Sequence, residues 1–596
     1  MPSPTPEDHE KLRTLVATLR DERRLDESVI AASQALKLNP RDHETLNNLG
    51  ITLVYRGDLA AAEAVFLKAT LISPEFPEAL NNLGALLRTQ GRQEESRNHI
   101  KKALKISPNF VEAHNNLGNV LKDQGELIAA EESYRRSLKI SPDHLLSLNN
   151  LANLLIIKGE IKRAKYTYRR ALKIDPNSLH IRSNLLFLQS AFEEHSNSYL
   201  KGAKEFGRVL ANLTPIPSVG CFAQKSLKIR VGLVSGDLKS HPVGYFLINL
   251  LKNVDSLRIE FYVYSTNPKQ DLLTEKIKKH VNKWQSVIGQ TDESAAQLIS
   301  GDNVQILIDL AGHTGENRLG IFAYRAAPIQ IAWLGYFAST GVRTIDYILG
   351  DPYVTPLIEQ KNFTEKIWQL PETYLCFSPP DESVSVGRLP ALENKTITFG
   401  CFNKIERIND NVVKVWSRIL LALPTSRLFL KSANLLDLAV RNKILGKFAA
   451  NGVAKERIYL EGSSPRSEYL AAYNRIDIAL SPFPYGGGTT SAEGLWMGVP
   501  VITKKGNSFI SHLGESIAHN TGLSDWIAAD EDDYVAKAIS FASDFKSLAE
   551  LRSSLRAQVL SSPLFDAKRF ANNFETALRE MWDEKNNDID IQRGGK

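Results

Sequence analysis

The chain has 596 residues, 43% hydrophobic and 23% charged, with a formal net charge of +6. Such a length is too great for one hydrophobic core and implies about three units. The composition is that of ordinary globular protein, and a small basic excess without clustered Lys or Arg is far from a nucleic-acid-binding signature. Three cysteines (Cys221, Cys376, Cys401), none in a Cys-x-x-Cys pair, argue against a disulfide framework and a cysteine zinc site. The opening MPSPTPEDHEKLR has no signal-peptide type of apolar stretch, and no run of 18 apolar residues occurs. A soluble, cytoplasmic protein without membrane or nucleic-acid partners is expected.

Pro40, Pro74, Pro108, Pro142 and Pro176 stand 34 residues apart. Gly57, Gly91, Gly125 and Gly159 keep the same step, as does Asn-Asn-Leu-Gly/Ala at 47–50, 81–84, 115–118 and 149–152. A strict 34-residue period is the signature of tetratricopeptide repeats, helix–turn–helix units that stack into an α solenoid. In each unit the loop glycine ends the first helix, and the proline blocks continuation of the second. Gly84, Gly118 and Ala103 sit where helices must approach closely. The unit at 9–42 lacks the motif and reads as a cap; a last helix near Asn184 caps the other end, so the solenoid is predicted over 9–189. Asn48, Asn82, Asn116, Asn150 and Asn184 form a row in one phase. Such a row can hold an extended peptide backbone through amides that both donate and accept, or it can tie helices together inside the solenoid. Asn47, Asn81, Asn115 and Asn149 are expected to face neighbouring helices.

Residues 190–226 break the period and read as a linker. From Lys228 short β-branched runs (KIRVGLVS, FYVYS, VQILIDL) alternate with helical stretches, and the pattern restarts after Pro390 with TITFGCF, SRLFLK, RIYLEG, IDIALS and PVIT. That predicts two consecutive α/β domains with parallel sheets, 227–390 and 391–584, and a ligand at the carboxyl ends of the strands between them. A last helix over 564–584 and a disordered tail, 585–596, complete the chain.

The most specific segment is SPFPYGGGTTSAEGLWMGVP, residues 481–500. A strand runs into Gly486, Gly487 and Gly488, then Thr489-Thr490 opens a helix. Glycines admit a ligand close to the backbone, and hydroxyls with free N–H groups at a helix start suit a diphosphate. Glu493, one turn on, can accept from ribose hydroxyls. The plain alternative is an ordinary strand–helix turn. His241, in Ser-His-Pro beside a strand end, can orient or deprotonate an acceptor hydroxyl, though on the residues alone a histidine that caps its loop is the simpler reading. Asp530–Asp532 and Asp588–Asp590 mimic metal-binding Asp-x-Asp strings, but a helix-start acidic run and a frayed tail are solvated charge.

Repeats, two α/β domains and GGTTSAEGLWMGVP in this order resemble the protein O-GlcNAc transferase family and its plant SPINDLY branch over roughly 9–584. GLVSGDLKSHPVG (232–244), RAAPIQIAWLGY (325–336), TGVRTIDYILGD (340–351), CFNKIERI (401–408) and SSPLFD (561–566) recur in the family's order. The resemblance implies two Rossmann-like lobes of GT-B type. It implies an inverting, metal-independent transfer of sugar from a nucleotide diphosphate to Ser/Thr hydroxyls, with no other cofactor. His241 aligns with the family's active-site histidine, although a donor phosphate oxygen is an alternative proton acceptor. His313, in the SPINDLY-like wording Gly-His-Thr, is expected to face sugar or acceptor.

Lys404 and Arg407, three apart at a helix start, are expected to share a face and grip the diphosphate without a metal. Arg407 departs from the lysine usual in the family. Arg466 and Tyr469 align with a basic residue and a histidine near the nucleotide; Tyr469 either stacks on the base or is a half-buried helical tyrosine. Gly488 replaces a histidine of the animal enzymes, leaving a backbone contact there. The asparagine row binds acceptor polypeptide in the family. UDP-GlcNAc is the favoured donor and GDP-fucose, as in SPINDLY-like members, the rival. Glucose transfer to Asn fits less well, and a non-catalytic repeat scaffold is the alternative of another class. Solenoids of this kind often self-associate, so a homo-oligomer remains among the expectations.

Overall fold

The computed structural model describes residues 6–193, 197–216, 228–380 and 383–594. The chain divides into two compact units, Met1–Ile181 with Val287–Thr291, and Arg182–Ser286 with Asp292–Lys596.

The first unit is the α solenoid. In the four full repeats the first helices are His43–Arg56, Pro77–Thr89, Val111–Asp123 and Leu145–Ile157. Their partners are Leu59–Ile72, Gln93–Ile106, Leu127–Ile140 and Ile161–Ile174, each ending two residues before a period proline. The loop glycines take φ of +90°, +82°, +84° and +70°, the left-handed backbone that ends a helix. The capping repeat at the start has Arg23 at φ +63° instead. Gly118 shows why the helices need a small residue, since a Cβ there lies 2.5 Å from the Tyr134 ring of the partner helix.

The doubled asparagines make one interlocked ladder. Asn47, Asn81, Asn115 and Asn149 are buried, while Asn82, Asn116 and Asn150 are partly exposed. Nδ2 of Asn82 donates to Oδ1 of Asn47 at 2.9 Å, Asn116 to Asn81 at 2.9 Å and Asn150 to Asn115 at 3.0 Å. The exposed row is thus pinned, rung by rung, to the buried row of the preceding repeat, as the helix-tying reading of the ladder expects. Asn116→Ala leaves the buried Asn81 carbonyl without this donor and should cost about 1–3 kcal/mol in chemical denaturation.

Arg182 opens the second unit inside the helix Leu179–Phe192, so this capping helix lies almost wholly with the α/β body, short of the boundary at 189 read from the period. Its attachments explain that. Ser183 Oγ meets His313 Nδ1 at 2.8 Å, and Tyr336 donates to Ser190 Oγ at 3.0 Å. Another helix, Asn197–Leu210, lies within the expected linker and packs backbone to backbone on the first lobe: a Cβ on Gly207 would sit 1.9 Å from the Gly341 carbonyl oxygen. Cys221 and the rest of 217–227 lie outside the described residues.

Two parallel sheets follow. The first comprises β1 (Ile229–Ser235), β2 (Ile259–Ser265), β3 (Lys283–Ser286), β4 (Ile306–Asp309), β5 (Ile329–Ala332), β6 (Tyr347–Gly350) and β7 (Lys366–Gln369), in the order β3-β2-β1-β4-β5-β6-β7. The second comprises β8 (Thr398–Cys401), β9 (Arg427–Lys431), β10 (Ile458–Glu461), β11 (Ile478–Leu480), β12 (Val501–Lys504) and β13 (Ile527–Ala528), in the order β10-β9-β8-β11-β12-β13. Strand order reverses between β1 and β4 and again between β8 and β11, which makes each sheet a Rossmann-type doubly wound sheet with a crevice at the switch. The final helix runs Ala567–Gly594, through the segment expected to be a disordered tail. The side chains of Asp588 and Asp590 lie outside the described ones, and no described helix is long and apolar enough to cross a membrane.

Candidate active site

The loops that leave β1, β4, β8 and β11 start at the two switch points, and they carry most of the residues singled out above. His241 ends the loop after β1 and N-caps the helix Pro242–Asn253, its Nδ1 accepting from Val243 N–H at 3.4 Å. Asp237 Oδ2 lies 3.7 Å from the same nitrogen. Burial holds the imidazole pKa below its usual value, opposed by Asp237 and seconded by Lys239 and Lys404. The ring is neutral at pH 7 and only partly covered. Lys404 belongs to the other lobe, so its influence on His241 places the two lips of the crevice within electrostatic reach.

His313, in the loop after β4, does not face a ligand. It is 1% exposed, its Nε2 donates to the Thr340 carbonyl at 3.0 Å and its Nδ1 accepts from Ser183. Phe206 and Tyr336 meet the ring edge-on, and burial lowers its pKa to about 4. A neutral imidazole with both nitrogens occupied has no base to offer, so the catalytic reading of His313 is corrected to a structural one. Asp309, at the end of β4, holds the same loop by accepting the N–H groups of Ala311 and Gly312 at 3.1 and 2.7 Å.

In the second lobe Lys404 caps and Arg407 ends a 3-10 turn, Ile405–Arg407, ahead of the helix Asp410–Ala422. Lys404 is exposed, whereas the Arg407 guanidinium lies 3.5 Å over the Tyr485 ring and donates to the Gly486 carbonyl at 2.7 Å. The glycine loop then enters the helix Thr489–Trp496 with Gly488 at its N-cap. Thr490 Oγ1 donates to Asn403 Oδ1 at 2.7 Å, joining the loops after β8 and β11. Among the described residues the buried Thr489 hydroxyl has no hydrogen-bond partner, and it stands at a helix start, where N–H groups lack intrahelical partners. A ligand oxygen there satisfies it. Gly487 is indispensable to this geometry: a Cβ would come 2.2 Å from Thr490 Oγ1 and 2.8 Å from Asn403 Oδ1. Gly487→Ala should break the Thr490–Asn403 bond and weaken nucleotide binding at least tenfold by calorimetry, an effect on the order of 1.4 kcal/mol.

Arg466 and Glu493 form an ion pair at 2.6 Å, with the Glu493 side chain only 2% exposed. That carboxylate is turned onto Arg466, which it positions. The Arg466 guanidinium lies 5.3 Å from the Tyr245 ring of the first lobe and 5.6 Å from that of Tyr469. Tyr469 packs edge-on against Phe402 and Tyr473, as a half-buried helical tyrosine does. Asp530 caps the helix Glu531–Ser543 through Asp533 N–H, and Asp532 pairs with Arg418 at 2.7 Å. Sequence reasoning missed Asn403, Tyr485 and Tyr245. Tyr485 had a signal, since it stands against three glycines that leave their neighbour nothing else to cover it.

A second set of contacts clasps the lobes. His512 Nε2 lies 3.1 Å from Glu359 Oε1 and its Nδ1 3.6 Å from Glu515 Oε2, while Ser516 donates to Asp351 at 2.7 Å. His512 is 5% exposed; burial opposes its charge, but the two carboxylates outweigh it and raise its pKa to about 9.

The class so defined is a tetratricopeptide solenoid joined to a double Rossmann-type body whose glycine and basic loops meet at the switch points. The chain belongs to Glycosyl transferase family 41, whose model matches residues 218–378 and 378–574. Tetratricopeptide models match 15–72, 86–125 and 110–177. It is similar to a tomato (Solanum lycopersicum) protein named probable UDP-N-acetylglucosamine–peptide N-acetylglucosaminyltransferase SPINDLY, 38% identical over 357 residues, 59% of this chain and 38% of that one. An Arabidopsis thaliana relative, named as the same type of transferase, SEC, is 29% identical over 60% of this chain and 37% of its own. The chain therefore spans about two fifths of the length of these curated relatives. The solved structure of a Thermobaculum terrenum O-GlcNAc transferase mutant superimposes with a TM-score of 0.81 at 33% identity, covering 86% of this chain and 98% of that one.

Proposed function

We propose that this chain is a protein O-glycosyltransferase that moves a sugar, GlcNAc from UDP-GlcNAc in the favoured reading, to Ser/Thr hydroxyls of polypeptides held along the repeats. The observation that carries the proposal is the convergence of His241, Lys404, Arg407 and Thr489 on loops from the two switch points. The names of the similar proteins support the donor.

In the proposed step the acceptor hydroxyl oxygen attacks the anomeric carbon from the side opposite the diphosphate. The carbon–oxygen bond to phosphate breaks, and the nucleoside diphosphate leaves with inversion. Lys404, Arg407 and the start of the helix Thr489–Trp496 supply the charge and donors that a metal would otherwise provide. With Nδ1 accepting from Val243 N–H, the neutral His241 ring carries its proton on Nε2. In that tautomer it orients the acceptor oxygen as a donor, and the hydroxyl proton passes to a phosphate oxygen of the donor. Cytoplasmic action on protein acceptors completes the proposal.

Calorimetry with UDP and GDP side by side, without added metal, tests it. Tight UDP and weak GDP binding supports the GlcNAc reading. The reverse preference makes the chain a fucosyltransferase of SPINDLY type, and binding of neither leaves a repeat scaffold.

A further inference from the structure

Arg407 replaces the lysine usual in the resembled family, and its surroundings show what an arginine needs at this place. The guanidinium carbon lies 3.5 Å from the centre of the Tyr485 ring, and Nη1 is tied to the Gly486 carbonyl at 2.7 Å. This is its one hydrogen bond among the described residues, so Nε and Nη2 stay available as donors. Tyr485 is itself held from elsewhere. Phe337, in the first-lobe loop after β5, packs on it with ring centres 5.1 Å apart, and Phe192, closing the helix Leu179–Phe192, meets it at 6.4 Å. Phe187 on that helix backs Phe337 at 6.1 Å. A row of rings thus runs from the last solenoid-type helix, through the first lobe, to the guanidinium in the second.

We propose that Tyr485, backed by Phe337, is a positioning residue for Arg407: it fixes the plane of the guanidinium so that the two remaining donors meet the diphosphate. The inference rests on the nucleotide-sugar reading above. A lysine is a point charge that any approach direction satisfies, whereas the planar fork of arginine grips phosphate only in the right plane. An aromatic face supplies that plane through cation–π contact. Because Phe337 comes from the opposite lobe, the grip is complete only when the lobes meet. Binding at Arg407 and approach of the lobes are thereby one event.

The test measures affinity by calorimetry for whichever of UDP and GDP the unmodified protein binds more tightly. The variants are Tyr485→Phe, Tyr485→Leu, Phe337→Ala, Arg407→Lys and Arg407→Lys with Tyr485→Leu, each with a melting curve. Tyr485→Phe keeps the ring and should stay within about twofold of the unmodified protein. Tyr485→Leu should weaken binding about tenfold, and Phe337→Ala several-fold, at unchanged melting temperature. In the Arg407→Lys background, Tyr485→Leu should change affinity less than about twofold, because lysine needs no platform. Unaltered binding by Tyr485→Leu overturns the inference, as does an equal loss in both backgrounds, which would make Tyr485 a support of the loop alone. Failure of the unmodified protein to bind either diphosphate removes the nucleotide reading and this inference with it. Binding by the unmodified protein with no effect of Tyr485→Leu removes the positioning role only.

Discussion

His241→Asn is expected to fold normally, bind nucleoside diphosphate as the unmodified protein does, and lose transfer by a factor on the order of 10²–10³. The choice of asparagine separates two roles that coincide in this residue. His241 caps the helix Pro242–Asn253 through Nδ1. Asparagine is among the best N-caps, so it preserves that function while removing the imidazole from the crevice. His241→Ala removes both and should lose transfer together with about 1 kcal/mol of stability. Transfer at full rate by the Asn variant would leave His241 a cap and nothing more. The pH profile offers a second view. Burial holds the ring's pKa below its ordinary value; below that lowered pKa a proton on Nδ1 displaces the Val243 N–H and undoes the cap that sets the ring, so transfer should be flat from neutral pH upward and fall only there.

The second expected result concerns the clasp between the lobes. His512 has a folded pKa of about 9 against an ordinary 6.5. A group raised in this way stabilises the folded state fully below pH 6.5, and the contribution fades as pH climbs through 9. The difference corresponds to about 3 kcal/mol. Denaturation at pH 6.5 and pH 9.5 should therefore show a loss of that order in the unmodified protein and little change in His512→Gln. At pH 6.5 the variant itself should be less stable by about 3–5 kcal/mol, since Glu359 and Glu515 are left facing each other without the cation. Lys505 Nζ, 3.6 Å from Glu515, relieves only that carboxylate. Equal stability of both proteins at both pH values would show that the clasp carries no charge.

Much of this fold is legible in the chain because its signals are periodic. A 34-residue step places five prolines and four glycines, and the helix ends follow from them. The β-branched runs locate β1, β2, β4 and β8 to β12. The edge strand β3, Lys-Trp-Gln-Ser, has no apolar alternation and is hidden. β5 and β6 are four residues each and lie inside stretches that attract notice as family motifs instead. Among site residues, loops leaving strands at a switch point are readable from spacing alone. What each side chain does there is not, because that depends on partners far along the chain. His313 and Ser183 are 130 positions apart, and only their meeting turns a candidate base into a buried, neutral support. The same holds for Arg407, whose plane is set by a tyrosine 78 residues downstream, and for the asparagine ladder, whose two rows exchange hydrogen bonds between repeats.

The anchoring of Ser183 and Ser190 decides where this protein can be shortened or lengthened. The 34-residue modules upstream of Arg182 are repeats of the kind that duplication and loss multiply or remove. The helix Leu179–Phe192 cannot be discarded with them, because without it His313 loses its hydroxyl partner and Tyr485 one of its neighbouring rings. A repeat array of variable reach, evolving on a body that keeps one helix of it for itself, is the natural history that such a seam permits.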